Sequence, residues 1–322
     1  MKWLVVNCTN ACNFKCKTCL REYGRSSNVP ITVLEKAIHD AKKLGYSGVS
    51  FTGGEPCLHP EFRAMVELFI KERFMIGFVS NGSLPQKYSF LYEEYGKNLS
   101  FAAFSIDGAT SDVHDDVREN GSFEKTKNTI TQFINSGVFT KMVVCINKLN
   151  KHQIEGIVRL GLDLNVKAIN FTAVIETYEN KNLLLSEIEK MEAINSIGRL
   201  RKKYVIELNM ASSLQASNGV DFCRALNELT DITINPKGEV VLCCDTVRDG
   251  AVIGSLENES FLQLYCKALD KIAEIKKIRA IVLAKSTQTH NFNTCEFCNK
   301  YLDKDIARYT SNTPAAENCF IS

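Results

Sequence analysis

The sequence has almost no excess of charge of either sign, and it has no long apolar run. Its 39 Lys and Arg residues nearly balance 37 Asp and Glu residues, which leaves a net charge of +2. A surface with this balance does not form the basic footprint that binds nucleic acid or an anionic membrane. No stretch approaches the roughly 18 apolar residues of a membrane span, and the first apolar run, WLVV, is too short for a signal peptide. We therefore expect a cytoplasmic protein without nucleic-acid or membrane partners.

Internal repeats and low-complexity tracts are also missing from the sequence. A locally basic segment, KIAEIKKIR at residues 271–279, interleaves its charges with Ile and Ala at helical spacing. This pattern predicts the solvent-facing side of a helix.

Cysteine, by contrast, is abundant. The chain has 13 cysteines, an odd number with uneven spacing. Structural disulfides are rare in a reducing compartment, so a disulfide scaffold does not explain this count. The cysteines are better explained as ligands of a metal ion or an iron–sulfur cluster.

Short β-rich segments alternate with longer amphipathic segments up to about residue 208. The predicted strands are WLVVN, GVSFT, IGFVSN, LSFAAFSID, KMVVCIN and AINFTAV. Such alternation builds a parallel sheet, and six units are too few for a closed eight-stranded barrel. Thr32 and Glu35 match a capping box and predict the start of the first helix. The sequence therefore predicts an α/β fold with a partial (β/α)6 TIM-like barrel in residues 1–208.

The pattern changes after residue 208, where cysteines become frequent again. The segment DITINPKGEVVLCC alternates around Pro236, Lys237 and Gly238, which predicts a β-hairpin. We expect a smaller, cysteine-rich α+β domain in residues 209–322.

Polar residues and glycines gather where the predicted strands end. In parallel α/β sheets the chemistry is found at this edge, so these positions are candidate site residues. They are Asn7, Gly53, Gly54, Glu55, Ser80, Asn81, Ser105, Asp107 and Asn147.

Three cysteines follow the first strand with the spacing C-x3-C-x2-C. On a loop, Cys12, Cys16 and Cys19 can converge on one polynuclear cluster. Three thiolates on a 4Fe–4S cluster leave one iron open to an external ligand. A zinc site would need a fourth ligand. On the triplet alone, Cys8 or the distal CEFC segment at residues 295–298 could supply it.

The second strand ends in FTGGEP at residues 51–56. Glycine permits close approach of a ligand to the backbone, and the carboxylate of Glu55 can accept hydrogen bonds from a ligand ammonium group. Together, the cysteine loop and this turn resemble the radical S-adenosylmethionine (SAM) superfamily. The resemblance implies that the open iron of a 4Fe–4S cluster chelates SAM. It further implies that an electron from a donor such as flavodoxin or ferredoxin cleaves SAM to a 5′-deoxyadenosyl radical, which removes a hydrogen atom from a substrate.

The resemblance also implies roles for individual residues around SAM. Gly53, Gly54 and Glu55 match contacts to the SAM amino group. The other implied positions are Ser80 and Asn81 near the adenosine, Ser105 and Asp107 on the ribose-side strand, Arg118 as a carboxylate-binding arginine, and Asn147 in the same pocket.

The C-terminal cysteines resemble the family's SPASM extension, in which a cysteine precedes a G-x4-C hairpin and a C-x2-C pair. The implied ligands of a closed auxiliary 4Fe–4S cluster are Cys223, Cys243, Cys295 and Cys298, with Cys244 as a possible replacement for Cys243. Lys304 and Arg308 stand where a full SPASM domain has further cysteines, so the pattern is closer to the shortened twitch version. A structural zinc ribbon has the same ligand spacing and is the alternative.

Cys145 is the candidate catalytic thiol. If Asn147 points into the barrel, strand alternation points Cys145 inward as well. The competing interpretation is a filled core position, because inner barrel positions normally hold packed side chains.

The expected enzyme acts on a peptide or small natural product, with the auxiliary cluster assisting oxidation or bond formation. An epimerase with a cysteine hydrogen donor is the alternative within this class. A non-catalytic iron–sulfur or zinc-binding regulatory protein is the alternative outside it. The sequence begins at the first strand, which disfavours a built-in peptide-recognition domain.

Overall fold

The computed structural model describes residues 1–20, 27–177, 179–214, 223–244, 251–285 and 293–301. Strands and helices alternate through the first two thirds of the chain. In order they are β1 (Lys2–Asn7), α1 (Ile31–Lys43), β2 (Tyr46–Thr52), α2 (Phe62–Lys71), β3 (Met75–Ser80), α3 (Ser89–Glu93), β4 (Leu99–Ser105), α4 (Ser111–Val117), α5 (Ser122–Asn135), β5 (Thr140–Ile146), α6 (Ile154–Asp163), β6 (Ala168–Ala173), α7 (Glu187–Lys203) and β7 (Glu207–Met210). All six predicted strands are confirmed.

The C-terminal part adds a hairpin and a long helix. Its elements are α8 (Arg224–Glu228), β8 (Asp231–Ile234), β9 (Glu239–Val241), β10 (Val252–Ser255), α9 (Phe261–Lys285) and α10 (Thr294–Tyr301). The predicted hairpin is formed by β8 and β9, with Gly238 at a φ of +75° in its turn. No described helix has the length and apolar character needed to cross a membrane.

The described strands form one sheet in the order β10-β9-β8-β1-β2-β3-β4-β5-β6-β7. Strands β1 to β7 run parallel, and β8 pairs parallel to the outer side of β1. The C-terminal strands therefore extend the sheet of the partial barrel. The expected boundary at residue 208 falls inside β7, a short strand with the sequence ELNM that the sequence pattern did not predict. The division into domains at this point stays a prediction.

One face of the sheet packs against the helices and forms the core. Leu4, Val6, Val49 and Phe51 alternate with interior-facing residues and are fully buried on this face. Helix α1 packs a stripe of apolar residues at helical spacing against the core, Val33, Leu34, Ala37, Ile38 and Ala41. Burial of these side chains is the main stabilising contribution to the barrel.

The other face of the sheet lines the barrel interior, and two aromatic rings pack against each other at its amino-terminal end. The Trp3 and Phe101 ring centroids are 5.4 Å apart, and Lys141 Nζ lies 3.5 Å from the Phe101 centroid. Two glycines make room for them, since a Cβ on Gly48 would lie 2.6 Å from Trp3 and one on Gly77 would lie 2.4 Å from Phe101. The carboxyl end of the barrel is therefore the end that holds the candidate site.

One local prediction is wrong and another holds except at one residue. Helix α1 begins at Ile31 after Pro30 and has no side-chain cap, because proline fixes a φ suited to a helix start and Thr32 already lies inside the first turn. A capping box instead starts α7, where Ser186 and Glu189 exchange hydrogen bonds. The segment at 271–279 is helical as predicted, but Arg279 is only 6% exposed because it lies on the buried side of α9 with Ile275.

Candidate active site

A loop carrying three cysteines follows β1 and lies against the turn that ends β2. Two backbone hydrogen bonds join them: Gly54 N donates to Thr9 O across 2.6 Å, and Glu55 N donates to Ala11 O across 2.8 Å. The two motifs found separately in the sequence are therefore in direct contact.

Both glycines of this turn are required by the contact. Gly53 has a φ of +144°, which residues with a side chain rarely adopt. A Cβ on Gly54 would lie 2.0 Å from Ala11 O, and one on Gly53 would lie 2.8 Å from Thr9 O. The sequence predicted close approach of a ligand to these glycines. The structure shows that the backbone of the cysteine loop approaches them.

The three predicted cluster cysteines share one region at the carboxyl end of the barrel. Burial raises the pKa of the Cys16 thiol to about 11, against the opposing charge of Arg118. The Cys12 and Cys19 thiols lie near enough to add to this rise. Thiols must lose their protons to ligate iron, so cluster binding here releases protons.

This donor set suits a polynuclear cluster better than a single ion. The ligands of one zinc ion all lie about 2.3 Å from it, whereas a cluster accepts each thiolate on a different iron. Cys8, a possible fourth zinc ligand, is fully buried and donates to Val6 O across 3.6 Å.

Asn81 links the turn after β3 to the cysteine loop. Its Nδ2 donates to Asn13 Oδ1 across 3.0 Å and lies 4.0 Å from Cys12 Sγ. Asn13 Nδ2 donates in turn to Ser83 Oγ across 2.9 Å. The side chain expected near adenosine is therefore held by the loop that carries the first cysteine.

Glu55 lies beneath the Gly-Gly-Glu turn with 0% of its surface exposed. Its Oε2 accepts from Ser80 Oγ across 3.0 Å and from Asn81 N across 2.9 Å, while Oε1 accepts from Tyr88 across 2.6 Å. Burial raises the pKa of this carboxyl group, and the Tyr88, Asn81 and Ser80 hydrogen bonds oppose the rise. Glu55 is thus hydrogen-bonded within the protein by Tyr88, Asn81 and Ser80, and its predicted contact with the SAM amino group stays a prediction.

Arg118 and Asp107 form a buried ion pair at the ends of α4 and β4. Arg118 Nε donates to Asp107 Oδ2 across 2.7 Å, and Arg118 Nη1 lies 4.0 Å from Cys16 Sγ. Burial disfavours the Arg118 charge, but the Asp107 carboxylate and the nearby sulfurs of Cys16 and Cys145 outweigh this cost and raise its pKa. A cation beside a cluster ligand stabilises the thiolate form of that ligand.

The structure also places the other predicted residues at this edge. Ser105 and Cys145 are half-buried on the interior face of β4 and β5. Cys145 N donates to Asp107 Oδ1 across 2.7 Å. Asn147 is fully buried, and its Nδ2 turns back to Cys145 O across 2.9 Å. The expected inward direction of Cys145 is consistent with its register opposite Thr172 on β6.

His114 is a buried residue of this site that the sequence did not single out. It lies on α4 four residues before Arg118, and its Nδ1 accepts from Asp107 N across 3.2 Å. Burial and the neighbouring Arg118 charge lower the pKa of His114 to about 3, so the imidazole is neutral near pH 7. Its position four residues before Arg118, in the sequence HDDVR at residues 114–118, was the available signal.

Two of the four predicted auxiliary ligands are brought together with an arginine. Burial raises the pKa of Cys298 to about 12, the nearby thiol of Cys223 adds to the rise, and Arg279 lowers it. Cys243 and Cys295 are half-buried on the loop after β9 and on α10. Lys304 and Arg308 lie outside the described residues. Four cysteine thiols are the donors that a closed 4Fe–4S cluster takes, and Arg279 is a buried positive charge beside Cys298.

A buried asparagine attaches the helix that carries Cys295 and Cys298 to the barrel. Asn293 Nδ2 donates to Ser213 O across 2.8 Å, and Asn293 Oδ1 accepts from Cys295 N across 2.9 Å. The Ser213 hydroxyl lies 2.7 Å from Thr172 Oγ1 on the interior face of β6. The cysteine-bearing helix is thus hydrogen-bonded to the wall of the barrel.

Comparison with known proteins agrees with both parts of the site. Residues 6–161 match the model of the radical SAM superfamily. Residues 223–299 match the model of the SPASM iron–sulfur cluster-binding domain. These matches include the cysteine loop and all four predicted auxiliary cysteines, and they imply a 4Fe–4S cluster, SAM and an auxiliary iron–sulfur site as the cofactors.

Individual relatives share part of the chain. The subtilosin biosynthesis protein AlbA of Bacillus subtilis is 28% identical over 170 residues, which cover 52% of this chain and 38% of AlbA. The SAM-dependent nucleotide dehydratase of Selenomonas ruminantium is 24% identical over 56% of this chain and 70% of its own length. Streptococcus suis SuiB, solved with the precursor peptide SuiA, matches with a TM-score of 0.69 and 14% identity over 90% of this chain and 74% of SuiB.

The chain therefore spans well under half of AlbA, and the SuiB match shows a common fold. The partial barrel, the C-x3-C-x2-C loop beside the Gly-Gly-Glu turn and the two matched domains lead to one assignment. The chain belongs to the radical SAM superfamily and carries a SPASM domain after its radical SAM domain.

Proposed function

We propose that this protein is a radical SAM enzyme that removes a hydrogen atom from a peptide substrate. The observation that carries the proposal is the loop with three cysteines that lies beside the Gly-Gly-Glu turn. Cys12, Cys16 and Cys19 leave one coordination position of a 4Fe–4S cluster for SAM. When bound there and reduced, the cluster and SAM supply a 5′-deoxyadenosyl radical.

The residues of the chain then hold the cofactors in place. Arg118 puts a positive charge beside Cys16 and has donors left for the SAM carboxylate. The backbone of Gly53 and Gly54 is the proposed contact of the SAM amino group, while Ser105 and Asp107 lie at the ribose side. A flavodoxin or ferredoxin is the proposed electron donor.

The interior wall of the barrel favours a peptide over a nucleotide substrate. Strand register places Ser105, Val143, Asn170 and Asn209 in one row across β4 to β7. This row is uncharged and rich in amide and hydroxyl groups, which suit the neutral amides of a peptide. Lys141 lies at the amino-terminal end of β5, and Glu207 accepts a hydrogen bond from Asn209 of the row across 2.8 Å, so the charge next to the row is negative. Phosphate groups are normally bound by Arg or Lys.

Two of the three relatives support a peptide substrate, whereas the Selenomonas ruminantium relative is a nucleotide dehydratase. AlbA takes part in the biosynthesis of a bacteriocin, and SuiB binds a precursor peptide. We propose a ribosomally made peptide as the substrate of this chain, bound with its reacting carbon near Cys145 and Thr172. The auxiliary cluster held by Cys223, Cys243, Cys295 and Cys298 would accept the electron of the substrate radical in an oxidation or bond-forming reaction, and SAM would be consumed.

Anaerobic reconstitution followed by dithionite and SAM tests the proposal. Formation of 5′-deoxyadenosine is expected for the intact protein and not for the variant in which Cys12, Cys16 and Cys19 are all replaced by Ala. Absence of 5′-deoxyadenosine from the reconstituted wild type would instead support a non-catalytic cluster-binding protein. Offering candidate precursor peptides and nucleoside triphosphates in parallel then separates the two substrate classes by the mass change in each.

A further inference from the structure

We infer that Tyr88 is a positioning residue for SAM binding, acting through Glu55. Nothing in the sequence motifs points to Tyr88, which precedes the short helix α3 and is fully buried. The inference rests on the proposed function, because it concerns the turn that would contact the SAM amino group.

Tyr88 donates a hydrogen bond to the carboxyl group of Glu55. Its hydroxyl lies 2.6 Å from Glu55 Oε1 and 2.5 Å from Ser80 Oγ. Ser80 Oγ in turn accepts from Gly82 N across 2.9 Å. A phenol, a serine hydroxyl and a carboxyl group therefore form one buried network under the Gly-Gly-Glu turn.

The network extends from Tyr88 to the cluster loop in two steps. Glu55 Oε2 accepts from Asn81 N across 2.9 Å, which fixes the turn after β3. Asn81 Nδ2 then contacts the loop through Asn13 and Cys12. The backbone N–H of Glu55 also donates to Ala11 O. Glu55 therefore contacts the cysteine loop directly through its backbone and, by way of Asn81, through its side chain.

Without the Tyr88 hydroxyl, the buried carboxyl group of Glu55 would have one hydrogen-bond donor fewer, whether it is charged or protonated. A buried carboxyl group that loses a donor turns toward another one or takes up a proton, and either change moves the backbone attached to it. Here that backbone is the proposed SAM contact. The ring itself is held independently, since it stacks on Phe78 with a centroid distance of 5.9 Å. Removing only the hydroxyl should therefore leave the packing of this region intact.

The test compares Tyr88→Phe with Tyr92→Phe. Tyr92 lies on α3, the short helix that follows Tyr88, and its hydroxyl makes an exposed contact of 3.4 Å with Gln132. Initial rates of 5′-deoxyadenosine formation at varied SAM concentration give KM and kcat, and iron content reports cluster loading. We expect Tyr88→Phe to raise the KM for SAM by about tenfold while iron content and kcat stay near wild type. Tyr92→Phe should match wild type in all three.

A double-variant cycle separates positioning from general destabilisation. Glu55→Ala removes the acceptor of the Tyr88 hydroxyl and should also raise the KM, and adding Tyr88→Phe to it should raise the KM no further, because both changes remove the same hydrogen bond. A KM within twofold of wild type in Tyr88→Phe, or fully additive effects in the double variant, would overturn the inference. If Tyr88→Phe does not fold, Glu55→Ala and Ser80→Ala decide, and unchanged KM values in both would overturn it. Wild-type SAM cleavage, measured in the same assay, tests the proposed function separately.

Discussion

Arg118 and Asp107 form an ion pair of 2.7 Å in which the side chains are 12% and 0% exposed. The pair joins the cysteine loop, through Cys16, to the strand that carries Cys145, through the Cys145 backbone N–H. Two residues that the family resemblance assigns to different parts of SAM are therefore coupled to each other. A ligand that binds Arg118 or Asp107 therefore also changes the electrostatic surroundings of the other residue.

Breaking the Arg118–Asp107 ion pair should lower the free energy of unfolding substantially. Asp107→Asn removes the carboxylate from a buried guanidinium, and loss of one partner of a buried pair typically costs about 3–5 kcal/mol. Asp116→Asn is a matched control, because the Lys17–Asp116 pair has the same 2.7 Å distance but both side chains are half-exposed. The control should change the free energy of unfolding by less than about 1 kcal/mol. Denaturant titration measures the change in the free energy of unfolding for each variant. Equal changes in the two variants would contradict the argument that the buried pair is the more stabilising one.

Gly54 should tolerate no side chain. Gly54→Ala places a Cβ 2.0 Å from Ala11 O, so the cysteine loop must move away from the turn. We expect the variant to hold less iron at the SAM-cleaving site and to form little 5′-deoxyadenosine. Gly198→Ala on α7 is the control, since its Cβ would meet nothing within 4 Å. That change should preserve activity and raise stability slightly, by up to about 1 kcal/mol.

Counting iron distinguishes the two cysteine sites. With one 4Fe–4S cluster at each, the reconstituted protein should hold about eight irons. Replacing Cys12, Cys16 and Cys19 by Ala should leave about four, because loops at strand ends contribute little to core packing and the fold should survive. Iron and zinc analysis of both proteins checks this. Zinc in the triple variant would show that the C-terminal site is a zinc ribbon, and about twelve irons in the wild type would show a third cluster.

His114 should make the folded state sensitive to acid. Its pKa is lowered to about 3 by burial, whereas an unfolded histidine titrates near 6.5. The unfolded state therefore binds the extra proton between these values, and stability falls by roughly 1.4 kcal/mol per pH unit as the pH drops below about 6.5. His114→Gln should flatten this slope, while His39→Gln, at an exposed position, should not. Unfolding free energies at several pH values between about 7 and 4 test it; equal slopes in all three proteins would contradict it.

The strands of the barrel could be predicted because each is a β-rich run between amphipathic helices. β7 could not, since ELNM is short and polar and owes its place to pairing with β6. The cysteine loop was recognisable because its ligands are close in sequence. The partners of Glu55 were not, because Tyr88 is 33 residues away and contacts Glu55 only through the fold. The burial of Arg279 was not predicted, because the basic residues around it in the sequence are typical of an exposed helix face.

The last prediction concerns the fate of the substrate radical. Two reactions are compared, and they differ in whether Cys145 donates a hydrogen atom to that radical. Its register opposite Thr172 puts it on the interior wall, and its electrostatic contact with Arg118 puts it near the cluster loop. In an oxidation the radical loses an electron and a proton, so the product is two mass units lighter than the substrate and no donor thiol is needed. In an epimerisation a thiol returns a hydrogen atom.

Because thiols exchange with solvent, an epimerised product made in heavy water would carry one deuterium. We expect oxidation or bond formation, so Cys145→Ala should still give the lighter product, as should the control Cys266→Ser at an exposed position of α9. Mass spectrometry of the product in both solvents separates the reactions. Deuterium in an otherwise unchanged product, lost in Cys145→Ala while SAM cleavage continues, would identify Cys145 as a hydrogen donor and the enzyme as an epimerase.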